Sequence, residues 1–167
     1  MTDAANPSWP TVELDPVRRL KVIASATKHP TFAERHFGAA FDELWSVASD
    51  LEHELPHLVP GLRSFTITSS EGDRLSGRAV GALGRREHFD VVLRPGWCLM
   101  QSKILTSGMA AMPDGDGSRF AFFSSLRLPG GRALDRVRRT RSAQRHEELL
   151  DRLGQRVEIR SVPDDAE

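Results

Sequence analysis

Two histidines flank a glutamate in the stretch His53-Glu54-Leu55-Pro56-His57. This matches the H-E-x-x-H pattern, in which the histidines bind zinc and the glutamate activates water. That chemistry needs one continuous helix, so that residues four apart face the same metal. Pro56 lies between the two histidines. It removes a backbone donor and clashes with the preceding turn, at about 3 kcal/mol in a helix interior. No downstream His or Glu stands at a recognisable spacing for a third ligand. The expectation is a turn with exposed histidines and no metal. A second candidate is the trio Arg78, His88 and Asp90. His88 and Asp90 share one side of a strand, with Arg78 expected on the neighbouring strand. Such groups could orient a carbonyl or exchange protons with it, which makes them weak catalytic candidates. The apolar residues Phe89, Val91 and Leu93 take the other side of the same strand, so the trio is expected to face solvent.

Other motif-like stretches carry less. Asp114, Asp116 and Gly117 contain part of a calcium loop without its distal glutamate, and a hairpin turn explains them better. Gly77, Gly81 and Gly84 lack dinucleotide spacing, and no Gly-x-Ser-x-Gly elbow is present. Cys98 has no neighbour in sequence to activate it and reads as a buried structural thiol. As the only cysteine in the chain, it allows no intrachain disulfide, which fits a reducing compartment. The 23 basic and 23 acidic residues balance, which gives no global reason to expect a nucleic-acid partner. No apolar run approaches the roughly 20 residues that span a bilayer, and the N-terminus has no secretory pattern. A soluble cytoplasmic protein is expected, as one domain with enough length for a core.

The elements that must position these residues are legible in the pattern. Asp15-Pro16 opens a short helix with Val17, Leu20 and Ala24 on one face, expected to dock loosely behind a disordered tail. Residues 31–38 alternate as a strand. Phe41, Leu44, Trp45 and Ala48 form the stripe of a helix. Ser49 and Glu52 have capping-box spacing, so a second short helix containing His53–His57 is expected to begin there. Six strands then follow with short turns: LRSFTITSS, LSGRAVGALG, REHFDVVLR, WCLMQSKILT, SGMAAM and SRFAFFSSLRL. Asp114–Gly117 is the strongest hairpin signal among them. The sequence thus predicts an antiparallel meander. Residues 132–153 hold no Pro or Gly and predict a long helix closed by Gly154, with an apolar stripe of Ala143, Leu149, Leu150 and Leu153. Its first half, 132–145, carries six arginines. That run reads as a solvated face, or as a contact for anionic lipid headgroups, and its thin apolar stripe suggests part of a cavity entrance.

Strand, two short helices, six-stranded meander and long terminal helix is an order that resembles the helix-grip fold of the SRPBCC superfamily. That superfamily includes START-type lipid carriers, the birch pollen allergen group and bacterial polyketide cyclases. FDELWSVASD resembles its first helix, DGDGSRFAFF its late hairpin with a Gly-Ser-Arg turn, and Leu55-Pro56 falls where many members carry Trp-Pro. The resemblance covers about residues 31–155. It implies an α+β fold, β-α-α-β-β-β-β-β-β-α, with a curved antiparallel sheet of about seven strands around the C-terminal helix. The expected organisation is an N-terminal extension over 1–30, a ligand-binding domain over 31–160 and a flexible tail over 161–167. A curved sheet leaves a hollow against the helix. The resemblance implies an apolar small-molecule ligand there, with walls from Phe89, Val91, Leu93, Met100, Ile104, Met109, Phe120 and Phe122; the plainer alternative is that these residues fill a core. No cofactor, metal or nucleic acid is implied, and no stable membrane insertion beyond transient contact with an anionic surface. A cyclase or dehydratase acting in the same cavity is the second reading, although the chain has no tyrosine and Arg78 or Ser102 would have to point inward. A non-catalytic protein-interaction module is the third.

Overall fold

A computed structural model describes residues 13–127 and 132–162, with backbone alone for 132–135. The expected disordered start of the chain and most of the expected tail lie outside the described residues. Asp15 caps the first helix: its carboxylate accepts from the Arg18 N–H at 2.8 Å, and Pro16 takes the first helical position. Helix α1 (Pro16–Ser25) is followed by β1 (Thr31–Phe37), α2 (Phe41–Ala48) and α3 (Leu55–Leu58). The six meander strands are β2 (Leu62–Glu71), β3 (Arg74–Gly81), β4 (Arg86–Arg94), β5 (Trp97–Gln101), β6 (Leu105–Asp114) and β7 (Gly117–Leu126). Helix α4 (Arg132–Ser161) closes the order. All pairings are antiparallel, and the sheet runs β1-β7-β6-β5-β4-β3-β2. This is the predicted α+β helix-grip arrangement, a curved seven-stranded sheet around the long helix.

Strand alternation sorts the two faces. Phe89 and Val91, Cys98 and Met100, Met109 and Ala111, and Phe120 point to the side of α2, α3 and α4 and join Leu149, Leu150 and Leu153 in the main core. The opposite parity of β6 and β7 gives Ala110, Ala121 and Phe123, which pack under Val17, Leu20 and Ala24 of α1. Helix α1 therefore does not dock loosely. Leu20 is fully buried, and burying one such side chain stabilises by about 1.5–3 kcal/mol. Its small partners Ala110 and Ala121 let the helix approach the sheet closely.

Three local expectations change. Ser49 ends α2 instead of opening a helix, and the Glu52 carboxylate accepts from the Ile67 N–H at 2.8 Å instead of completing a capping box. The short helix starts at Leu55, because Pro56 fits only a first turn, where no backbone donor is needed. His53–His57 thus straddles a turn and a helix start. Second, the expected strand 97–106 breaks at 102–104. The Ser102 Oγ accepts from the N–H groups of Ile104 and Leu105, at 3.3 and 3.1 Å, and makes the turn without glycine or proline. Third, α4 runs through Gly154 to Ser161, so Ser161 is helical and not tail. Val157 extends the buried stripe by another turn, and this packing outweighs the roughly 1 kcal/mol cost of a helical glycine.

The late hairpin forms as read, with Gly115 and Asp116 between β6 and β7. Gly117 has no room for a side chain, since a Cβ there would lie 2.1 Å from the Phe37 carbonyl oxygen. Next to it the buried Ser118 donates to the Ala39 carbonyl at 2.7 Å, which ties the hairpin to the entrance of α2.

Candidate functional site

Helix α4 is held at its C-terminal half. Glu54 is 2% exposed and accepts two bonds from Arg156, Nε at 2.7 Å and one terminal nitrogen at 3.1 Å. Arg160 Nε lies 3.2 Å from the same carboxylate and also reaches Asp50. The hydrogen bond from Arg156 holds the Glu54 carboxyl below its usual range. The glutamate of the zinc-like stretch is therefore a clamp between α3 and α4. His53 turns away to Asp50, Nδ1 at 2.9 Å, and is largely exposed, as is His57. On the other flank Arg35 of β1 donates to Glu147 and Asp151 of α4, at 2.7 Å each.

Further toward its N-terminus, the described side chains of α4 fill little space. Its inward stripe reads Ser142, His146, Leu149, Leu150, Leu153, Val157; Ala143, expected in that stripe, is exposed. Opposite this end the sheet offers Ala79 and Ser107 among larger side chains. A hollow of about 210 Å³ remains between them. Leu55, Val59 and Pro60 line it from α3 and its exit, Phe65, Phe89 and Met100 from the sheet, and Leu149 from α4. Apolar cavities of roughly 150 Å³ already admit benzene, so this one has room for about eight to ten heavy atoms. One wall depends on a glycine. A Cβ at Gly77 would lie 2.3 Å from Phe65 Cζ, so the Phe65 ring occupies its place in the wall only because Gly77 has no side chain.

A hydrogen-bonded polar pair stands in this mostly apolar lining, which also holds Ser107 and Ser142. His146 is 4% exposed, and its Nε2 shares a 2.8 Å hydrogen bond with Ser124 Oγ. The ring meets Phe122 edge-on, centroids 4.8 Å apart. Its other nitrogen, Nδ1, is buried and has no hydrogen-bond partner among the described residues. Burial lowers the His146 pKa to about 4, so the imidazole is neutral at pH 7. No carboxylate orients Nδ1, so among the described residues the pair is not a nucleophilic triad. A pKa this far below neutrality also makes a weak base. What the pair does offer is hydrogen bonding to one polar group of an otherwise apolar molecule. Arg145 stands exposed at the rim, beside a groove lined by Arg138, Arg139 and His29.

Of the eight wall residues read from the sequence, the structure places Phe89, Met100 and Phe122 in the hollow. Val91, Met109 and Phe120 lie in the adjoining solid core, with Leu93 packed against it. Ile104 sits in the β5–β6 turn, displaced from any strand face by the Ser102 turn. Ser102 itself is used by that turn. Arg78, His88 and Asp90 stand on the outer face: Arg78 pairs across from His88, and His88 lies 3.7 Å from Asp90 with both side chains mostly exposed. The structure does not bring them to the hollow. Cys98 is fully buried and its thiol is pushed up to about 12 by burial, so it is inert. Sequence reasoning missed His146 and Ser107; it did expect residues 53–57 to place one wall of the cavity mouth, where Leu55, Val59 and Pro60 stand. His146 stands three and four residues before Leu149 and Leu150, in phase with the stripe; counting only apolar residues selects Ala143 instead.

The strand order and the long terminal helix define a helix-grip fold with a hollow between helix and sheet. No protein-family model and no curated protein matches the chain. Among solved structures, TTHA0849 from Thermus thermophilus superposes with a TM-score of 0.64 at 21% identity, over 79% of this chain and 99% of that one. The STAR-related lipid transfer protein from Xanthomonas axonopodis gives 0.63 at 12% identity, over 77% and 85%. The di-domain ARO/CYC StfQ of the steffimycin biosynthetic pathway gives 0.64 at 13%, over 84% of this chain and 54% of that one. At these identities the likeness is one of fold. No helix among the described residues is long and apolar enough to cross a membrane, and no group of three or more His, Cys, Asp or Glu there is placed to hold a metal.

Proposed function

We propose that this protein binds a small, largely apolar molecule, a lipid fragment, polyketide or similar compound, in the hollow between α4 and the sheet. The observation that carries this reading is a mostly apolar hollow of about 210 Å³ lined by the buried, incompletely bonded His146 and its partner Ser124. A solid core has no use for such a pair, because an unpaired buried polar group costs about 1–3 kcal/mol. The names of two structural neighbours, a lipid transfer protein and an ARO/CYC, support the same reading. A cyclase- or dehydratase-type reaction in the same hollow is the second reading, and His146 is the one residue that favours it; its low basicity weighs against it. Arg138, Arg139 and Arg145 at the rim, with the exposed Val137 and Leu126, support transient contact with an anionic lipid surface. The single cysteine, a buried free thiol, fits the cytoplasm.

Native mass spectrometry of the purified protein tests the binding reading. A bound apolar mass in one-to-one ratio, exchangeable for added n-propylbenzene, is expected. An empty protein that takes up no added apolar compound would overturn it.

A further inference from the structure

The proton inventory of the His146–Ser124 pair constrains its ligand. A neutral imidazole carries one N–H and a serine one O–H. Their mutual 2.8 Å bond consumes one of these two hydrogens. If Ser124 donates, the proton on Nδ1 is left over. If Nε2 donates, the Ser124 hydroxyl proton is left over. In either tautomer the pair keeps one free donor, the Ser124 hydroxyl or the buried Nδ1–H of the neighbouring ring, and both residues line the hollow beside Phe122, Met100 and Leu149. A hydrocarbon in the hollow would bury that donor unmatched. A carboxylate would have to lose its hydration for a single hydrogen bond. A neutral oxygen satisfies the donor without importing charge.

We infer that the ligand is a neutral amphiphile, with an apolar body against Phe89, Met100 and Leu149 and one carbonyl or hydroxyl oxygen at the His146–Ser124 pole. This rests on the binding reading above and adds the chemical class of the ligand. The rim arginine Arg145 is exposed and leaves the interior of the hollow without a fixed positive charge. Size agrees: about eight to ten heavy atoms correspond to a substituted single ring or a short chain, not to a whole diacyl lipid.

Calorimetric titration with four compounds on one carbon skeleton tests the inference: n-propylbenzene, propiophenone, 3-phenylpropan-1-ol and 3-phenylpropanoate. The comparison variant is H146F/S124A, which replaces both partners by apolar groups and so leaves neither of them orphaned. In the double variant the affinity ratio of ketone to hydrocarbon, and of alcohol to hydrocarbon, falls about tenfold, while propylbenzene binds as well or better. In the unaltered protein the alcohol binds more tightly than the carboxylate at pH 7. A second readout needs no variant: the imidazole ¹⁵N resonances of His146 move on adding propiophenone or the alcohol, and do not move on adding propylbenzene. Unchanged ratios in a folded double variant, a still imidazole resonance, or tighter binding of the carboxylate would each overturn the inference while leaving the cavity in place. Failure of all four compounds to bind would overturn the cavity reading and the inference with it.

Discussion

His146 makes the stability of this protein depend on pH in a window where carboxylates contribute little. The unfolded chain protonates this histidine near 6.5, whereas burial holds the folded ring neutral down to about 4. Above pH 6.5 neither state carries the proton and the folded protein suffers no penalty. As pH falls from 6.5 toward 4, the unfolded state gains a proton that the folded state refuses, so stability drops; below 4 both states are protonated and the loss levels off. The gap between 6.5 and about 4, at about 1.4 kcal/mol per pH unit, comes to about 3 kcal/mol in full, of which about 2 kcal/mol is lost by pH 5. Urea unfolding at pH 8 and pH 5 measures it, with H146F as the reference. The unaltered protein should lose about 2 kcal/mol more than H146F over this interval. The other histidines and the carboxylates are common to both proteins and cancel in the difference. Parallel pH profiles for the two proteins would refute the reasoning, because they would mean that the ring is hydrated or already paired in the folded state.

Other perturbations give distinct outcomes. E54Q removes the charge that pairs with Arg156 and Arg160; chemical denaturation should show a loss of about 2 kcal/mol, and amide exchange should quicken in α3 and the last turns of α4. G77A forces the Phe65 ring out of its present place in the wall; affinity for propylbenzene should change several-fold, with the displaced ring visible in the Phe65 side-chain shifts. L20A opens a cavity between α1 and the outer face of the sheet; it should cost about 2–5 kcal/mol in urea unfolding and leave ligand affinity within about twofold. Replacing Arg138, Arg139 and Arg145 by glutamine should weaken cosedimentation with anionic vesicles, and raised salt should have the same effect on the unaltered protein.

The fold could be read from this sequence because its signals are local. Period-2 runs between glycine-bearing turns mark the strands, and Asp15-Pro16 and Phe41–Ala48 mark helices whose caps or stripes lie within a few residues. The hollow could not be read in the same way. A residue such as Phe120 looks the same from sequence whether it lines a cavity or fills a core; only what faces each position along β7 separates Phe122, against His146 in the hollow, from Phe120, packed on Phe37 in the core. His146 is hidden by its polarity, and Glu54 by a motif that suggests metal chemistry. The Glu54 partners, Arg156 and Arg160, lie about a hundred residues away, and no spacing rule reaches across that distance. The tight α1 contact escapes the pattern because alternation shows which residues share a strand face and not what covers that face.

The proposed ligand occupies the space between α4 and the sheet with its oxygen at His146. Intermolecular nuclear Overhauser effects in the complex with propiophenone test it most directly. Cross-peaks are expected from the ligand ring to the Met100 methyl, the Leu149 methyls and the Phe89 ring, and from the methylene beside the carbonyl to the His146 ring. Cross-peaks to the outer face around Arg78 and His88, or none to the hollow at saturating ligand, would contradict it.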